Sequence, residues 1–150
     1  MTRRLLVLTA LSGSALLLAG AYLFQYFGYL PCQMCLWQRW PHVVAIVVGL
    51  AYLAFPSQVW PWLGAIAAAI TSGLGVYHTG VERDWWEGPS SCSGGGGGAL
   101  SGDLLSLDGP VLIMCDQVSW AFLGLSMASW NALFSALLCV IWVMAARRAT

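Results

Sequence analysis

Five residues in this 150-residue chain carry thiol chemistry: Cys32, Cys35, Cys92, Cys115 and Cys139. The first two form a C-x-x-C unit, Cys32-Gln33-Met34-Cys35, preceded by Pro31. A bridge across two residues is a poor staple, because the entropic gain from a cross-link grows with the loop it closes. The same spacing suits a redox-active dithiol, whose thiolates are readily stabilised. Cys92 and Cys115 instead bracket a long segment containing five consecutive glycines, Gly94–Gly98. A bridge there would close a flexible loop open to an outside partner, and on the residues alone stapling and redox work are equally open. A zinc site of four cysteines needs tight spacing in both pairs, which the second pair lacks. Cys139 lies in an apolar run and reads as an inert core or lipid-facing thiol.

Two further side chains stand close to the C-x-x-C unit in spacing or topology. Arg39 follows Cys35 by four residues, so a helix beginning there puts both on one face. A guanidinium at a membrane boundary is costly and marks a candidate site. It is suited to stabilising a thiolate at Cys35 or polarising a carbonyl acceptor; the competing reading is an arginine snorkelling to headgroups. His78, one turn before Glu82, is a candidate at the outer end of another helix, and His42 is a weaker one.

The elements that must hold these residues follow from composition. The chain is 59% hydrophobic and 8% charged, with six Arg, no Lys and six acidic residues, and its mean hydropathy is +0.76. Soluble domains carry roughly 25% charged residues. A soluble domain, a disordered chain and a nucleic-acid binder are therefore excluded. Arg39 is the sole charge between Arg4 and Glu82, and all the acids fall between Glu82 and Asp116. The charge-free stretches, split at Pro56 and Pro61 where a helix interior would break, predict four membrane spans. These are about 5–25, 40–55, 62–81 and 123–145, the second starting a turn earlier, near Leu36. Arg3, Arg4, Arg147 and Arg148 place both termini in the cytoplasm by the positive-inside tendency. Segments 26–35 and 82–122 then face outward as two loops. Tryptophans 37, 40, 60, 62, 85, 86 and 120 sit near the expected interfaces, as an aromatic belt does. Arg3-Arg4 followed by an apolar run also resembles a secretory signal, but the run outlasts a signal core and reads as an uncut span. The expected class is an all-α membrane protein, a four-transmembrane-helix bundle in one domain.

The larger outward loop holds two notable tracts. Gly94–Gly98 reads as either a passive linker or a hinge. Residues 103–113 are apolar enough to lie on the membrane surface, although Gly109-Pro110 interrupts any helix. Outward cysteines in an oxidising compartment suit disulfide chemistry.

This combination resembles the disulfide bond formation protein B (DsbB) family of bacterial inner-membrane oxidoreductases. The resemblance rests on Pro31-Cys32-Gln33-Met34-Cys35 with Arg39, Tyr77-His78, and Pro89-Ser90-Ser91-Cys92. It continues through Cys115-Asp116, Trp120, Phe122-Leu123-Gly124-Leu125-Ser126-Met127 and Trp130. It implies redox-active disulfides Cys32–Cys35 and Cys92–Cys115 in two periplasmic loops. It also implies a DsbA-like thioredoxin-fold oxidase as partner and a membrane quinone, ubiquinone or menaquinone, as electron acceptor. By that resemblance the partner attacks Cys92, freed Cys115 attacks Cys32, and Cys35 is released beside the quinone. Arg39 and His78 would lie at its head group. No metal is implied, and no nucleic acid. The rival enzyme class, vitamin K epoxide reductase-like, places its C-x-x-C on a late span. A non-enzymatic membrane scaffold with structural disulfides is the other alternative.

Overall fold

The computed structural model describes residues 2–90, 92 and 114–148. The glycine tract and the apolar segment 103–113 lie outside them. Four long helices make the architecture expected from the charge-free stretches: α1 (Arg3–Tyr26), α2 (Gln33–Ala54), α3 (Val59–Glu82) and α4 (Met127–Arg147). All four are long and apolar enough to cross a membrane. A two-stranded hairpin, β1 (Ala121–Phe122) and β2 (Leu125–Ser126), precedes α4.

Local chemistry sets the ends. Thr2 caps α1 by accepting from the Leu5 amide, and Gly28, at φ +94°, takes the left-handed conformation just past its end. That conformation favours glycine. The sulfur of Cys32 is the N-cap of α2, accepting from the Cys35 amide, so the helix opens on the C-x-x-C unit itself. Ser126 caps α4 by accepting from the Ser129 amide. The hairpin turn at Leu123-Gly124 has positive φ at both residues. This is the two-residue turn whose twist matches the paired strands, and it pairs Ala121 with Ser126 and Phe122 with Leu125.

Between helices, small residues permit close approach, the usual solution where lipid removes the hydrophobic drive to associate. A Cβ on Gly64 would lie 2.5 Å from the Trp142 ring, and one on Gly75 would meet the α4 backbone at Ala128 and Ala132, 3.0 Å away. Trp142 is fully buried within a core of Leu6, Val7, Val48, Tyr52 and Leu138. Cys139 packs at the edge of this core, its thiol 3.4 Å from the Ala65 carbonyl.

One end of the bundle is tied by Arg3. Its guanidinium is buried and donates to the Ala145 carbonyl (3.1 Å), to Gln58 and to the Arg148 carbonyl. A cation there answers the partial negative charge at the α4 C-terminus. The start of α1, the α2–α3 turn and the end of α4 thus share one end. The start of α2, the end of α3 and the start of α4 share the other, and the described cysteines other than Cys139 are all there.

Candidate active site

At that second end, Cys32, Met34, Val81, Cys92 and Cys115 form one buried cluster, with Cys35 packed against it. Cys92 and Cys115 are joined as a disulfide. The Cys115 amide also donates to the Cys92 carbonyl (2.6 Å), which holds the two segments together. Cys32 and Cys35 are free thiols 2.7 Å apart, Cys32 donating to the Cys35 sulfur. Hydrogen bonding to Cys35, then burial, pushes the Cys32 thiol well above the ordinary thiol range. The two cysteine pairs, distant in sequence, therefore share one buried cluster.

His78 joins them from α3. Its Nε2 lies 3.5 Å from the Cys32 sulfur and 3.8 Å from a Glu82 carboxylate oxygen. Glu82 in turn accepts from the Ser126 hydroxyl, which links the end of α3 to the N-cap of α4. Ligand atoms of Cys32, Cys35 and His78 lie within 4.8 Å of one another, close enough to meet one metal ion. Two thiolates on tetrahedral zinc, however, sit about 3.8 Å apart at a Zn–S bond of about 2.3 Å.

A chain of buried polar groups runs from this cluster into the bundle, and its polarity is fixed at one end by a backbone carbonyl. Gln38 Nε2 donates to the Met34 carbonyl (3.3 Å), which can only accept. The same amide nitrogen faces His78 Nδ1 at 2.9 Å, so Nδ1 accepts and the His78 proton sits on Nε2, toward Cys32. Gln38 Oε1 accepts from Asn131 Nδ2 (2.7 Å). Asn131 Oδ1 therefore faces His42 Nε2 at 3.0 Å, and that nitrogen carries the proton. Thr71 completes the chain, donating to the Gln38 carbonyl (3.1 Å) and accepting from Asn131 (3.2 Å). Tautomers follow here from the hydrogen-bond network, as they must where hydrogens are assigned.

Beside the cysteines lies a cavity of about 420 Å³, with Cys35, Arg39, His42 and His78 on its wall. An aromatic series bounds it: Phe24 against Trp120 (centroids 5.1 Å), Trp120 against Phe122 (6.0 Å), and Trp130 against Phe134 (5.5 Å). Arg39 is held from α1, donating to Gln25 Oε1 (2.7 Å) and lying over the Tyr22 ring at 4.7 Å. Its Nε is buried without a hydrogen-bond partner among the described residues. A flat, apolar acceptor bearing carbonyl oxygens fits such a space: rings for its faces, a cation for its oxygen, and a thiol beside it.

The structure thus gathers the six candidates Cys32, Cys35, Arg39, His78, Cys92 and Cys115 at one end of the bundle. The sequence reading passed over Gln38, Thr71 and Asn131, which join the two histidines. Their signal was present as amide and hydroxyl side chains inside expected spans, where polar groups are costly and seldom idle.

Comparison with known proteins gives the same direction. The family model for disulfide bond formation protein DsbB matches residues 3–145. A disulfide bond formation protein B of Verminephrobacter eiseniae is 36% identical over 145 residues, covering 91% of this chain and 81% of the relative. One from Acidovorax sp. is 31% identical over 160 residues (98% and 91%), and one from Pasteurella multocida is 33% identical over 154 residues (92% and 85%). No solved structure matches the chain. With the model matched over nearly its whole length and relatives above 30% identity, this multi-pass membrane protein belongs to the disulfide bond formation protein DsbB family.

Proposed function

We propose that the protein is a thiol:quinone oxidoreductase of the bacterial inner membrane. It reoxidises a DsbA-like periplasmic thioredoxin-fold oxidase, with both termini in the cytoplasm and the cysteine end facing the periplasm. The observation that carries this reading is the shared buried cluster: the Cys92–Cys115 disulfide lies in one cluster with the Cys32–Cys35 pair, which lines the cavity together with Arg39.

Exchange between thiols and disulfides needs a thiolate in line with a sulfur. The partner's thiolate attacks Cys92, forming a mixed disulfide and releasing Cys115. Cys92 is 3% exposed, so its segment must lift from the helix ends before a soluble partner reaches it. Cys115 then attacks Cys32 of the oxidised Cys32–Cys35 pair, and Cys35 leaves as a thiolate. The partner's second thiol resolves its own mixed disulfide and departs oxidised. A quinone in the cavity supplies an acceptor for two electrons and two protons. Re-formation of both protein disulfides balances the cycle: partner dithiol plus quinone become partner disulfide plus quinol.

The chain's residues divide this work. Cys35 lies on the cavity wall. Arg39, on the same wall, offers its guanidinium to a carbonyl oxygen, a charge-assisted contact stronger than a neutral one. The Nε2–H of His78 points toward the Cys32 sulfur and steadies charge there during exchange.

Replacing Cys35 with Ser tests the reading. Quinone-dependent oxidation of a reduced DsbA-like partner should vanish while the helical fold persists. Retained turnover would exclude this mechanism and favour a scaffold whose cysteines only staple.

A further inference from the structure

One wall of the cavity belongs to a short strap rather than to the helices. Gln117, Ser119, Trp120 and Phe122 line the cavity, and all come from the stretch that leads from Cys115 into the β1–β2 hairpin. Trp120 joins this strap to the bundle. Its ring meets Phe24 of α1 edge-on at 5.1 Å and stacks on Phe122 at 6.0 Å, with 13° between the planes.

The strap is tied at both ends. Beyond Trp120, the Trp130 indole N–H donates to the Phe122 carbonyl (3.2 Å). Ser126, paired with Ala121 across the hairpin, donates to Glu82. The tie at the other end is Cys115, which is fully buried and bonded to Cys92. Its amide also donates to the Cys92 carbonyl (2.6 Å), and its backbone bonds to His78. Of these ties at Cys115 the disulfide alone is covalent, and the cycle above breaks it when Cys115 leaves Cys92 for Cys32. Trp120 stands only five residues further along the chain.

We propose that the Cys92–Cys115 disulfide fastens this wall of the cavity, with Trp120 as the positioning residue. While the bridge is intact, Trp120 closes on the bound quinone; once Cys115 leaves Cys92, the ring loosens and the ligand is held less tightly. The inference rests on the quinone reading above and adds a coupling between its two sites. In equilibrium binding such a coupling is reciprocal, so a bridge that tightens the quinone is itself favoured by the quinone. The protein thereby keeps its acceptor until a reduced partner opens the bridge. It loosens the cavity in the part of the cycle in which quinol must leave, and product release is a common limiting step.

The test is equilibrium binding of ubiquinone-1 to the full chain in lipid nanodiscs. The Cys32–Cys35 pair is kept oxidised throughout, so that no electrons flow. Cys92→Ser with Cys115→Ser removes the bridge without touching that pair. Cys92→Ala with Cys115→Ala is the second form if the serines prevent folding, since both sulfurs sit in an apolar cluster. Loss of the bridge should weaken ubiquinone-1 roughly two- to tenfold, the worth of one aromatic contact. Trp120→Ala should weaken it by a similar factor in the bridged protein and by little in the unbridged one. That non-additivity separates coupling from a general loss of packing, whose effects would add as free energies. Equal affinity with and without the bridge would overturn the inference, and so would effects of Trp120→Ala and bridge removal that simply multiply. A wild-type chain that does not bind ubiquinone-1 would overturn the quinone reading, and this inference with it.

Discussion

Gln38 is the joint on which both histidines depend, and removing its amide makes a quantitative test. In Gln38→Leu, the 2.9 Å contact to His78 Nδ1 and the 2.7 Å contact from Asn131 disappear together. Asn131 keeps Thr71 at 3.2 Å and is not orphaned. His78, 2% exposed, loses Gln38 at Nδ1 and is left with its hydrogen bond to the Cys115 backbone. Two interhelical hydrogen bonds inside a membrane are worth about 0.6 kcal/mol each. One orphaned buried acceptor adds about 1–3 kcal/mol. The expected loss is therefore about 2–4 kcal/mol, read as a shift in reversible unfolding in mixed micelles. The imidazole ¹⁵N resonances give an independent readout: wild-type His78 should carry its proton on Nε2, and the Leu variant should lose that fixed tautomer. A loss below about 0.5 kcal/mol, or a wild-type spectrum with the proton on Nδ1, would refute the polarity derived for the network.

Arg39→Ala should raise the quinone KM at least tenfold, because a hydrogen bond from a charged group is worth about 1.5–3 kcal/mol; an unchanged KM in steady-state assays would remove Arg39 from the cavity's chemistry. The raised Cys32 thiol makes a pH prediction. An acid whose ionisation is pushed upward keeps its proton through the ordinary thiol range, so reduced protein should show no Cys32 thiolate absorbance between about pH 7 and about pH 10. Alkylation of Cys32 by iodoacetamide, read on its own peptide, that rises with a midpoint near about pH 8.5 would contradict it. Gly64→Ala should destabilise the bundle by about 1–3 kcal/mol through overpacking, since the new methyl meets the buried Trp142 ring at 2.5 Å. Thermal unfolding that leaves the midpoint in place would mean that α3 and α4 separate freely there.

Much of this protein was legible as sequence. The charge-free stretches predicted four long apolar helices, because a charge in lipid is costly at any position along a span and needs no partner to be recognised as misplaced. The C-x-x-C spacing marked Cys32 and Cys35 for redox work, since ring size is a property of the chain alone. Arg39 stood out for the same reason as the spans did, as an isolated charge in an apolar run. Arg3 was read only as an orienting charge, and its burial as a tie between α1 and the end of α4 came from the structure.

The gathering of the two cysteine pairs into one cluster was beyond the sequence. Cys35 and Cys92 are far apart along the chain, and only the antiparallel packing of α2, α3 and α4 brings them to one end. The same holds for the line from His78 through Gln38 and Asn131 to His42, drawn from three helices. Residue types determined what each side chain was able to donate or accept. Which atom meets which, and so which nitrogen of each histidine holds the proton, is a property of helix register and rotation, and only the tertiary structure decided it.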